Sequence, residues 1–240
     1  MRNYGSYPTG SIVNHPALAR VSLRPLARLA LFALLLLAPA QSQAQPCCGS
    51  ITPPGQRLAT LLDATGVDHL WLASHHVAWA AGEIDQDRPD GREAATHCSA
   101  FAAAIAARLG VYVLRPPEHP QELLASAQMR WLRSDGASRG WRALAGCLEA
   151  QRAANRGDLV VEAFENPSPR RPGHIAIVRP SDKTLAELDS DGPQETQAGS
   201  ANAISTTTAA GFRQHRGAWL AGGGGSMAYY AHAIDWSLVK

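Results

Sequence analysis

Apolar positions recur at helical spacing over the first two thirds of the chain and at a spacing of two, with β-branched runs, after residue 157. Residues 58–64 carry a short helical pattern. HLWLASHHVAWAA, residues 69–81, keeps the helical period and predicts a second helix, followed by the polar loop GEIDQDRPDGRE. The best-defined helix comes next: Thr96 stands as N-cap, SAFAAAIAARLG runs to a glycine stop at Gly110, and Phe101, Ile105 and Leu109 share one stripe. Pro120 opens a further helix through QELLASAQMRWLRS, and another is expected over about residues 141–155, ending at Gly157. DLVVEAF and HIAIVRP then read as strands, with residues 185–188, ETQAGS and MAYYAHAIDW as further strand candidates. The run of glycines at 222–225 reads as a turn. Helices first and strands afterwards predict an α+β fold.

The N-terminal part follows another rule. Residues 1–44 hold Arg2, Arg20, Arg24 and Arg28, no acidic residue, and the apolar run LALFALLLLA before the small, polar stretch PAQSQAQ. A basic start, a short apolar core and small residues at a cleavage position describe an export signal, here with a long basic segment that initiation near Val21 would shorten. Ten apolar residues fall short of the ~20 that span a bilayer, so no membrane span is expected after cleavage. A periplasmic or secreted location follows. Residues 45–56 read as a connector and residues 57–240 as the folded domain. With all 20 acidic residues but only 18 of the 22 Lys and Arg beyond residue 44, the mature chain carries about −2. No basic run with interleaved aromatics remains, which excludes nucleic acid as the expected partner. Four cysteines lie in the mature part, Cys47, Cys48, Cys98 and Cys147; pairing of Cys147 with Cys47 or Cys48 stays open. Ala44, Gln45 and Pro46 before Cys47 do not form a lipid-attachment motif.

Two positions bear chemistry in this pattern. Cys98 opens a helix, where free N–H groups favour a thiolate and can hold an oxyanion. His174 enters a strand directly after Pro172 and Gly173, in a position to act on a neighbouring helix terminus. Taken singly, a cysteine on an alanine-rich helix or a histidine on a strand is commonly structural. THCSAFAAAIAARLG and GHIAIVRP, in that order, resemble the papain-like cysteine amidases and peptidases of the CHAP and NlpC-like kind. The interval of 76 residues between the two motifs is longer than in compact members, and Thr96-His97 replaces the usual context before the nucleophile. The resemblance covers about residues 90–235 and implies a papain-like fold, Cys98 as nucleophile, His174 as general base, and a polar third residue on the next strand, for which Gln197 and Asn202 are the candidates. With export, it implies hydrolysis of an amide in cell-wall peptidoglycan or another peptide, without a cofactor. A non-catalytic secreted binding module on the same scaffold and a wall-degrading toxin are the alternatives. His75, His76, His97 and His119 lack zinc-ligand spacing. Trp131 and Trp141 read as core, Asp85, Asp87 and Asp90 as a solvated loop, and His232 as a sheet-edge residue.

Overall fold

The computed structural model describes residues 45–87 and 96–239; the expected export signal and Asp90 lie outside the described residues. Residues from Ala44 onward group into one compact unit. Helix α1 (Pro53–Asp63) starts inside the expected connector, because Pro53 occupies its first turn and the Thr52 hydroxyl accepts from Gly55 N–H. Helices α2 (Cys98–Arg108) and α3 (Leu124–Ser134) follow, then strand β1 (Arg142–Leu144), helix α4 (Cys147–Arg156) and strands β2 (Leu159–Phe164) and β3 (His174–Val178). Helix α5 (Leu185–Asp191), strands β4 (Gln194–Gln197) and β5 (Ala203–Thr207), the short α6 (Thr208–Gly211) and strand β6 (Ala228–His232) complete the order. The strands form one open antiparallel sheet in the order β1-β6-β2-β3-β4-β5, so the chain is α+β as its pattern predicts. Among the described residues, no helix is long and apolar enough to cross a membrane.

The sheet carries a layer on each face. On one face Val161, Ala163, Ile175 and Ile177 pack under the alanine-rich α2, with Phe101 edge-on to the fully buried Trp71, ring centroids 5.2 Å apart. The opposite face uses the alternate residues of the same strands. Val160 and Val178 pack on Ala150, Ala153 and Ala154 of α4, and Phe164 and Ala176 pack on Phe212 and Ala218. The expected stripe of Phe101, Ile105 and Leu109 is buried.

Four local expectations are corrected. Residues 69–81 do not form a helix: Trp71 and Ser74 take left-handed backbone angles and Val77 bridges Ile84. The apolar residues there wrap Trp71, whose indole N–H donates to Trp79 O at 2.9 Å. Residues 141–155 are not one helix, since Arg142–Leu144 pairs with β6 and α4 starts only after Gly146, a residue of low helix propensity. Residues 185–188 lie in helix α5 and not in a strand. Thr184 and Glu187 make a reciprocal capping box, each side chain bonding the other's backbone N–H. Thr96 is not the cap of α2; His97 holds that position and makes no side-chain cap bond.

Candidate active site

Cys98 is the first residue of α2 and 2% exposed. The backbone N–H groups of Ile175, Ser99 and Cys98 itself act on its sulfur and favour the thiolate. Burial outweighs them and pushes the thiol up to about 11. At neutral pH the sulfur therefore rests as a thiol, not as the preformed thiolate that a helix terminus alone would favour. Helix α2 is fixed from outside: His97 Nε2 donates to His75 O at 2.8 Å, and Gln128 Nε2 donates to Ser99 O at 3.0 Å and to Leu114 O at 2.9 Å.

His174 is the first residue of β3 and 3% exposed. The preceding Gly173 leaves no room for a Cβ against Phe164 O and Ser126 Oγ, which explains the Pro-Gly-His entry to the strand. His174 Nε2 lies 2.6 Å from Gln197 Oε1, while Gln197 Nε2 donates to Ala201 O at 3.1 Å. The second bond fixes the amide orientation, because Ala201 O can only accept. Oε1 is then the atom facing the ring, Nε2 must carry the proton, and Nδ1 keeps its lone pair. Burial, with a smaller repulsion from His215, lowers the imidazole to about 3, so the ring stays neutral through the neutral range.

Gln197 is therefore the strand residue that orients the imidazole. Asn202 is not: its Nδ2 donates to Val67 O at 2.7 Å and Leu70 O at 2.8 Å, and its Oδ1 accepts from Gly199 N–H at 2.9 Å. Asn202 ties the loop around Trp71 to the β4–β5 turn and has no amide group left for His174. Sequence reasoning missed Phe212 and His215. The Phe212 ring meets His174 edge-on at 4.6 Å, and the His215 ring stacks on it at 4.9 Å, 11° from parallel. Both stand in an irregular stretch after α6, where no periodicity announces a contact.

Thiol and ring approach β3 from its two sides. Cys98 shares the α2-side core with Ile175 and Ile177, whereas the His174 ring leaves with Ala176 toward Phe212 and His215. The sulfur thus abuts the backbone of the residue that follows the histidine, and among the described residues no hydrogen bond joins it to either ring nitrogen.

The remaining sequence candidates take structural places. Cys47 and Cys48 are joined to each other, and Cys98 and Cys147 are free, so Cys147 pairs with neither. His232 Nε2 faces Arg139 O at 2.9 Å at the sheet edge. Among the described residues, no group of three His, Cys, Asp or Glu is placed to hold a metal ion.

A second titratable pair lies behind the site, on the face that carries the imidazole. Glu162 of β2 and Glu195 of β4 are fully buried; the Thr208 hydroxyl donates to Glu162 Oε2 at 2.8 Å. Burial raises both carboxyls, Glu195 the more strongly because the neighbouring Glu162 charge adds to it, so the pair keeps a proton that free carboxylates would lose. A carboxyl raised in the folded state gives stability that is complete below its unfolded value and lost as pH rises through its folded value. Urea midpoints of the wild type are expected to fall as pH is raised from mildly acidic to alkaline, and Glu195→Gln to flatten that fall. Parallel curves for the two proteins would show that the pair holds no proton. Gly211 packs on this pair and on Gln197, leaving no space for a Cβ beside Glu195 Oε1.

No family model matches the chain, and no curated protein matches it in sequence.

Proposed function

We propose that the chain is an exported cysteine amidase or peptidase of papain-like design. His174 Nδ1 takes the proton from Cys98, the sulfur attacks an amide carbonyl, and the imidazolium passes the proton to the leaving amine. Water, deprotonated by the same nitrogen, then hydrolyses the thioester. The N–H groups of Cys98, Ser99 and Ile175 favour the thiolate and suit the oxyanion. The observation that carries the reading is the Gln197–His174 bond, which leaves Nδ1 as the basic nitrogen on a residue whose neighbour, Ile175, touches the sulfur. Because thiol and imidazole are both neutral at rest, His174 is a general base that acts during attack, not one half of a standing ion pair. Attack needs Nδ1 and the Cys98 sulfur to meet beside the His174–Ile175 backbone, with Nε2 still held by Gln197. Peptidoglycan stem peptides or the sugar–peptide amide are the substrates that fit an exported enzyme with this resemblance. The test is release of new amino groups from purified cell walls by the mature protein but not by Cys98→Ala. A protein that binds walls without releasing amines, with Cys98→Ala binding equally, would instead be the binding module; killing of wall-bearing competitors by delivered protein would mark the toxin.

A further inference from the structure

Beside the imidazole cage, an open cavity of about 270 Å³ lies between α5 and the stretch after α6. Phe212 and His215, the two rings against His174, also line this cavity, so it shares a wall with the proposed base. We propose that it is a binding site for the C-terminal carboxylate of a peptide that ends in a small residue. The proposal rests on the amidase reading for its purpose but not for its chemistry.

Arg213 and Arg216 line the cavity and are exposed, and among the described residues neither has an ion-pair partner. Asp189 and Asp191 flank Ser190 on the α5 wall, yet neither pairs with these arginines. Two free guanidiniums at one opening match a carboxylate, which takes paired N–H donors from a planar fork. His215, whose imidazole burial pushes below its ordinary value, lines the same wall. The rest of the lining is apolar or small: Phe212, Trp219 and Leu220, which is 57% exposed, with Ala209, Gly217 and Ala221. That surface leaves room beside the guanidiniums for a side chain as small as a methyl. The volume lies just under the roughly 300–1,000 Å³ of sites for larger ligands, so it admits one or two small residues and not a folded partner. The site thus selects substrates with a free acidic end, and the substrate class becomes short peptide tails such as those that end in alanine.

The test uses the full mature chain bearing Cys98→Ala, so that binding is read without turnover. N-acetyl-alanyl-alanine and its C-terminal carboxamide are titrated while the His215 ring protons are followed by NMR. The acid is expected to saturate the protein and shift His215, with the carboxamide about tenfold weaker or worse. The double variant Arg213→Gln, Arg216→Gln should bind the acid no better than the amide. Equal binding of acid and amide, undiminished binding by the double variant, or no binding of either would overturn the site. Catalytic failure would instead appear as no turnover by the wild type, with acid binding intact.

Discussion

Cys98→Ala is expected to abolish amide hydrolysis, a loss of roughly 10³-fold or more, with the fold intact. The size follows from the role: without sulfur no thioester forms, and the surrounding N–H groups can only polarise a carbonyl. The fold should survive because α2 is already alanine-rich and Cys98 contributes one buried sulfur to that core, worth about 1 kcal/mol. Amine release and thermal unfolding measured on the same preparation check both halves. Wild-type turnover in the variant would remove sulfur from the chemistry, whatever the fold does.

Gln197→Leu is expected to lower kcat by about 10²–10⁴-fold with little change in KM, the range seen when a catalytic histidine loses the partner that sets its tautomer. In the native chain the proton is held on Nε2 by an acceptor 2.6 Å away. Leucine offers no acceptor, so the proton moves to Nδ1 in part of the population and blocks the basic nitrogen. Gln197→Glu separates this account from simple loss of packing. A carboxylate still accepts from Nε2, so activity should partly return, and it attracts the imidazolium, so the acid limb of the rate profile should move up from the low value that burial gives. An inactive Gln197→Glu with native unfolding, or an active Gln197→Leu, would assign Gln197 to packing alone.

The parts of this fold that follow from local chemistry were legible in the sequence. Alanine-rich composition and a glycine stop marked α2, β-branched runs marked β2 and β3, and the order of elements gave an α+β chain. Misreadings arose where one signal had two outcomes. Residues 69–81 carry apolar spacing because they wrap a buried tryptophan, and periodicity does not distinguish a wrapping loop from a helix. TLAE at residues 184–187 has the capping-box spacing of a helix start, while the alternation after it is equally that of a strand. At the site, Gln197 and Asn202 were both candidates because they stand on either side of one turn. Their different partners arise from residues far along the chain, His174 for one and residues 67–70 for the other. Phe212 and His215 were illegible for the same reason: contacts made across a sheet leave no mark on local spacing. At Cys98 the helix terminus is visible in sequence and points to a thiolate, whereas the burial that keeps the thiol protonated is not.

The account depends on His174 acting directly on the Cys98 thiol, and the most direct measurement is the pH dependence of iodoacetamide alkylation at Cys98, mapped by peptide mass. Cys147, partly buried and distant in sequence from the pair, serves as internal control. With Nδ1 as base, His174→Ala should slow labelling of Cys98 at neutral pH by about tenfold or more and leave Cys147 unchanged. Identical Cys98 rates in the two proteins, or no labelling of Cys98 in either, would mean that thiol and imidazole stay on their separate sides of β3 and do not work as a pair.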